Sequence, residues 1–418
     1  MKNLKILTII KYLLYCSILT SFITYNFNFD SFFYLKYLTI SEAFGIPAVI
    51  LFLLYGSRNI WIFKQINKVY ISAFLLVLSF SIGIFVTSNS KTTLLAIFTL
   101  VYLICYSFTI YFVFNTNLKS LLKAVILTMI VLSVVAIYDN LAVTFGYIPI
   151  FKNAETIHFT SGFRYFGQLG DYTFTILTFL IPFQFSSLSN NFTKNEYLFL
   201  RTATFLGTIS LLGSCRISSI VAIIIGIFLW FLVTRNWLVF LKHKIELLLF
   251  FIILITSQYT FPNINKNVLN RFKSRISSRV EGTMEADFVI DNFTFAINTF
   301  QENPIFGRGL AAVKNPQNDL EIHGTYLKLL GETGIFGMCF YILFLTTSGL
   351  LLFKTYKFGG NSIHDFLKNY FPFFVASLIF WSYEYHLRKK EFWIFLALML
   401  IVCSSTKIKI FNKSLPDD

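Results

Sequence analysis

The amino-acid sequence predicts an all-α polytopic membrane protein of about twelve transmembrane helices, with one long, partly helical loop ahead of the tenth. Two observations carry that reading. Hydrophobic residues fill 56% of the 418 positions and charged residues only 13%, too little polar surface to cover a soluble globule. The apolar residues also fall in repeated runs of about 20, the length a helix needs to cross a hydrocarbon core of ~30 Å, without the short alternating segments of a membrane barrel.

The runs lie near residues 5–25, 39–56, 69–87, 93–115, 121–144, 169–188, 196–213, 217–234, 246–261, 325–353, 368–385 and 391–405. The first follows Lys2 and Lys5 and has no small-residue cleavage site before Tyr25–Asn28, so it reads as a retained span and not a signal peptide. The next four are separated by short basic links holding Arg58, Lys64 and Lys68, then Lys119 and Lys123. The seventh is short and flanked by Arg201, and the twelfth follows Arg388, Lys389 and Lys390. An even number of spans puts both termini on one side. Most basic clusters, from Lys2 and Lys5 through Lys242 and Lys244 to Lys407 and Lys413, share that side and mark it as cytoplasmic; the Arg388–Lys390 trio dissents. The net charge of +15 therefore reports topology and gives no reason to expect nucleic acid. Cys16, Cys105, Cys215, Cys339 and Cys403 stand singly, so no disulfide framework or zinc site is expected.

Three parts follow: N-terminal helices over 1–257, a non-cytoplasmic loop over 258–322 and C-terminal helices over 323–418. The loop is on the order of 65 residues against a median connection of ~4–6, so it should carry structure or function. Its first part is basic (Arg271, Lys273, Arg275, Arg279), its second acidic (Glu281, Glu285, Asp287, Asp291). Over Ala286–Phe300, the spacing of Phe288, Ile290, Phe293, Phe295, Ile297 and Phe300 predicts an amphipathic helix. Asn303-Pro304 and Gly307-Arg308-Gly309 end it with turn chemistry.

The candidate reaction centre is Glu321–Gly337, EIHGTYLKLLGETGIFG. His323 sits where the water-facing loop enters an apolar helix, and an imidazole exchanges protons near neutral pH. The plain alternative is a capping histidine. Gly331, Gly334 and Gly337, at three-residue spacing, predict a smooth face for close helix packing that holds His323 in place. Arg216, among Ser214, Ser218 and Ser219 at the start of a span, is costly at membrane depth unless it is paired or serves an anionic ligand. It also reads as an interfacial arginine that snorkels. Arg164 lies between Phe163 and Tyr165, a pattern that suits bidentate phosphate contact beside sugar or lipid, and equally an interfacial aromatic belt. Asp171 offers a partner to either arginine. With no Walker loop, no DxD-like pair and no soluble domain for a nucleotide, the donor should come from the membrane as an activated lipid. A lipid diphosphate is a good leaving group that arginines can stabilise without a metal.

These residues resemble the O-antigen polymerase and O-antigen ligase superfamily of bacterial surface-polysaccharide assembly. The resemblance rests on the number of spans and the long loop, on His323 with Gly334 and Gly337 downstream, on Arg216 at a span start, and on the turn Pro304-Ile305-Phe306-Gly307-Arg308-Gly309. It implies a GT-C-like, metal-independent glycosyltransferase of the bacterial inner membrane, with no cofactor, both termini cytoplasmic and the loop periplasmic. Its partners would be an undecaprenyl-diphosphate-linked glycan, membrane lipids and a chain-length regulator protein. Arg216 would bind diphosphate, His323 would activate the acceptor or assist departure, and Arg164, Arg279, Arg308 and Tyr326 would bind substrate. Gly324 follows the histidine where ligases usually have Asn, Ser or Gln. Asp287-Phe288-Val289-Ile290 occupies the place of a ligase-like arginine, and Arg279 lies too far upstream to replace it. Both departures favour a polymerase over a ligase. A lipid-linked oligosaccharide transporter and a non-catalytic scaffold are the readings from other classes, and no internal repeat supports the first.

Overall fold

A computed structural model describes residues 2–23, 39–58, 67–87, 89–145, 167–213, 217–235, 284–313 and 321–404. Among the described residues the chain is all-helical, in the order α1 (Lys2–Leu19), α2 (Ile40–Arg58), α3 (Lys68–Val86), α4 (Ser90–Phe114), α5 (Leu118–Phe145), α6 (Gly167–Phe185), a 3-10 turn (Ser187–Asn191), α7 (Lys194–Gly213), α8 (Ile217–Thr234), α9 (Met284–Glu302), α10 (Thr325–Phe358), α11 (Asn361–Tyr383) and α12 (Lys390–Ser404). Among the described residues, four stretches are long and apolar enough to cross a membrane: α3, α4, Leu118–Tyr138 of α5, and α10. Ile40–Tyr55 and Ser218–Thr234 are shorter apolar helices. The expected span near 246–261 lies outside the described residues. Helix ends run past several of the expected spans: α10 continues to Phe358 and α11 starts at Asn361, because a helix carries on beyond hydrocarbon where Lys354 and Lys357 reach water.

The chain divides into two compact units, one of residues 1–124, 289–364 and 381–418, the other of 125–288 and 365–380. In the first, α1 packs on α2, and α3 lies between α4 and α10. Asn67 and Asn89 cap α3 and α4, each side-chain oxygen accepting a backbone N–H, from Val69 (3.1 Å) and Thr92 (3.4 Å). The helix α12 is buried on all sides, which is why it is apolar on all sides. Its Trp393 indole donates to Leu387 O (2.7 Å), and Trp393 O accepts Ser107 Oγ (2.8 Å).

The basic trio that dissents from the charge count is paired throughout. Arg388 meets Glu321 (3.4 Å), Lys389 meets Glu384 (3.2 Å) and Lys390 meets Glu42 (2.5 Å). The rule counts Lys and Arg and not net charge, so this pairing explains how the trio is held but leaves its dissent in place.

In the second unit α6 packs against α7 and α8. Gly207 makes room there for Met129 and Leu177. The Trp230 indole donates to Asn369 Oδ1 (2.7 Å), and Asp365 accepts the Ser187 N–H (2.7 Å) at the start of the 3-10 turn. Asp171 is buried and accepts Ser219 Oγ (3.4 Å).

Candidate active site at the start of α10

The amphipathic periodicity of the loop forms α9, and the turn after it has a definite task. The helix α10 is broken at Gly334 (φ 64°, ψ −166°). A break strips acceptors from the N–H groups that follow it. Those of Ile335 and Phe336 donate instead to Pro304 O (2.8 Å) and Ile305 O (3.0 Å). The Pro304–Gly309 turn is therefore the cap of α10's second half. This corrects the expectation of one smooth face through Gly331, Gly334 and Gly337. Gly334 is a hinge in the backbone, where positive φ and the nearby Ile305 O leave no room for a Cβ. Gly331 and Gly337 do serve close packing, against Ala296 of α9 and Phe80 of α3.

Glu332 ties the same turn down from the other side. Its backbone O accepts the Gly309 N–H (2.9 Å) and its Oε2 accepts the Ala311 N–H (2.6 Å). Its Oε1 is 3.3 Å from Lys328 Nζ but has no aligned hydrogen bond, so that contact is electrostatic. Lys328, 1% exposed, also reaches Glu321 Oε2 at 2.5 Å, and its ammonium lies 5.0 Å from the Tyr385 ring centre. Arg388 approaches both oxygens of Glu321 at 3.4 Å. Burial pushes the Glu321 carboxyl up, but Lys328 and Arg388 outweigh it and hold the group below its ordinary 4.5.

His323 is held by its backbone while its ring is exposed. The Asn292 side chain of α9 accepts the His323 N–H (2.8 Å) and donates to the His323 O (3.2 Å). The ring Nδ1 is 3.0 Å from Glu321 O. A carbonyl can only accept, so in the neutral imidazole Nδ1 carries the proton and Nε2 is the basic nitrogen. Gly324 follows at φ 83°, where a Cβ would fall on Ser382 O. That contact explains a glycine where ligases usually carry a side chain. Thr325 then donates to Glu384 O (2.6 Å) and sits 2.8 Å from Nδ1 of His386. His386 stacks on Trp381 with ring centres 4.0 Å apart. Burial, with Lys389 adding to it, pushes its imidazole well below the usual 6.5.

Of the residues singled out from sequence, His323, Tyr326, Gly331, Gly334 and Gly337 come together around the start of α10. Tyr326 lies tilted on Tyr341, ring centres 6.0 Å apart. Arg308 is exposed and paired with Glu302. Arg164, Arg216 and Arg279 lie outside the described residues. Lys328, Glu332, Asn292 and Arg388 were missed. Two opposite charges four residues apart inside an apolar run were a readable signal for the first pair. Asn292 and Arg388 act through tertiary pairing that sequence spacing does not display.

Residues 202–342 match the family model described as O-antigen ligase. That match supports a likeness to the O-antigen polymerase and ligase superfamily over this stretch of the chain. Among curated proteins none matches it. The matched stretch runs from α7 into α10 past the break, and it takes in Arg216, Arg279, Arg308, His323 and Tyr326, while Arg164 falls before it.

Proposed function

We propose that this protein is a surface-polysaccharide polymerase of the O-antigen polymerase and ligase superfamily that joins repeat units carried on undecaprenyl diphosphate, at the periplasmic face of a bacterial inner membrane. The acceptor hydroxyl gives its proton to His323 Nε2 as its oxygen bonds to the anomeric carbon of the donor. The bond from that carbon to the diphosphate breaks, and its electron pair leaves with the diphosphate. The observation that carries this reading is the setting of His323, an exposed ring whose Nδ1 faces a carbonyl and whose backbone Asn292 holds at both ends. Arg308, Lys328, Arg388, Lys389 and Lys390 are each matched by a carboxylate. We assign the diphosphate to Arg216, with Arg164 and Arg279 as further contacts, because forked guanidinium groups suit phosphate oxygens.

The family description favours a second reading, a ligase that passes the finished polymer from the same donor to lipid A core. Purified protein given only a lipid-linked repeat unit separates the two. Long chains support the polymerase, and transfer solely to lipid A core moves the assignment to ligase. In either assay His323→Ala should leave an inserted protein whose rate falls by about 10²–10⁴. His323→Gln should be nearly as slow, since an amide bonds hydrogen but does not shuttle a proton. A glutamine variant with near-normal turnover would end the proton-transfer role.

A further inference from the structure

The turn that caps α10 also presents apolar side chains to its surroundings. Ile305 is 60% exposed, Phe306 41% and Ile335, whose N–H donates to Pro304 O, 52%. Phe306 meets Phe336 edge-on (5.5 Å) and Phe336 meets Phe340 (5.0 Å), so an aromatic ladder runs from the turn onto the helix. The backbone beneath is fixed by Glu332 and by the two bonds to Pro304 O and Ile305 O. These side chains cannot fold inward by a local rearrangement of the turn without breaking that clasp.

The level of the turn relative to a bilayer can be read from α10 itself. From Thr333 to Phe353 the helix contains no Asp, Glu, Lys or Arg, a run of about 31 Å at 1.5 Å per residue, close to one hydrocarbon thickness. Glu332 bounds that run at one end and Lys354 at the other. The turn is bonded to Ile335 and Phe336, the first residues of the run past the break, so it lies where hydrocarbon gives way to headgroups. Arg308 and Glu302, an exposed ion pair, stand three residues from either side of Ile305 and mark the polar side of that boundary. Apolar tips beside charges at a membrane edge are the composition of an interfacial anchor.

We propose that Ile305 and Phe306 form a wedge inserted among the lipids at the membrane surface on the His323 side. The occupant of this apolar face is the protein's own bilayer, continuous with the lipid-facing stripe of α10 at Ile335, Ile342 and Leu343. Through the clasp to Glu332, the wedge fixes the height of the loop, and with it the height of His323, relative to anything carried on a lipid. The inference rests on the membrane reading alone and stands whichever reaction the chain performs.

The test is a nitroxide attached at Ile305→Cys, with Arg308→Cys as the comparison, in full-length protein whose five native cysteines are replaced, reconstituted in phospholipid vesicles. Dissolved oxygen should relax the label at 305 several-fold more strongly than a water-soluble nickel chelate does, and the order should reverse at 308. A label at 305 that meets the nickel chelate as readily as at 308 overturns the proposal. So does one shielded from both, which would mean that protein covers the face. Should the cysteine-replaced background fail to fold, wild-type protein can be photolabelled with a phospholipid carrying a reactive group near the glycerol. Cross-links on the peptide containing residues 304–306 are then expected, and their absence while α10 is labelled counts against the wedge.

Discussion

Two buried lysines in the same compact unit, Lys328 and Lys390, meet carboxylates in different ways. Lys390 has a closed environment: Glu42 Oε1 at 2.5 Å, Ser41 Oγ at 2.9 Å, and the rings of Tyr106 and Tyr102 at 5.5 and 5.8 Å. It fastens α12 to α2 beside α4, and its carboxylate contacts reach only as far as Thr39. Lys328 is instead shared by two carboxylates, and both lead to the candidate site: Glu332 to the capping turn, Glu321 to the backbone beside His323. The first pair is a staple between helices. The second joins a helix break, a loop and an exposed histidine, so its loss should be felt in activity as well as in stability.

Removal of one lysine at a time should give the largest effects. Lys328→Met leaves Glu332 uncompensated and Glu321 with Arg388 alone, and Lys390→Met leaves Glu42 uncompensated, each costing on the order of 3–5 kcal/mol, readable as a fall in thermal stability in nanodiscs. The double replacements separate the two. Lys390→Met with Glu42→Leu should recover most of the loss, because a buried pair replaced by apolar groups of similar size is often neutral. Lys328→Met with Glu332→Leu should not, because the Ala311 N–H loses its acceptor and Glu321 keeps only Arg388. Equal recovery in both doubles would erase the distinction drawn between staple and junction.

The same contrast separates what the sequence makes legible from what only tertiary contacts decide. Helical class and the amphipathic α9 follow from composition and period, since burial in lipid or against neighbours imposes those periods directly. His323 stood out because a lone imidazole at a loop-to-helix junction is chemically distinctive. Gly334 was misread. A glycine in a helical run is equally consistent with packing and with a break, and only the partner carbonyls of Pro304 and Ile305, far away in sequence, decide between them. Asn292 was invisible for a related reason, since its side chain acts on backbone groups 31 residues later.

Asn292 supplies a test of intermediate size. Asn292→Ala removes both bonds to the His323 backbone, about 1 kcal/mol for each neutral hydrogen bond, and should lower turnover more than it lowers donor affinity. Asn292→Asp keeps the acceptor for the His323 N–H but loses the donor to its O, so it should fall between wild type and alanine. An alanine variant with unchanged turnover would make Asn292 an ordinary helix residue.

The smallest expected effect is in pH dependence, and it separates two groups near the start of α10. His386 has a folded-state pKa held below the usual 6.5, so the unfolded chain binds a proton that the folded one does not. Its contribution is complete above 6.5 and declines as the pH falls below that value. Glu321 also has a lowered folded-state pKa, but as a carboxylate with an ordinary value of 4.5, so its contribution is complete above 4.5 and is lost as the pH falls through the lower folded value. Acid unfolding should therefore soften first in the His386 window and then in the Glu321 window. His386→Phe should flatten only the upper part of the profile, and Glu321→Gln only the part below 4.5, where wild type and variant should converge. The Glu321 change should be the weaker because burial opposes the pull of Lys328 and Arg388 there, whereas burial and Lys389 act together on His386. A Glu321→Gln profile parallel to wild type down to the acid limit would show that Lys328 is held by Glu332 alone, and would remove His323's neighbour from the junction.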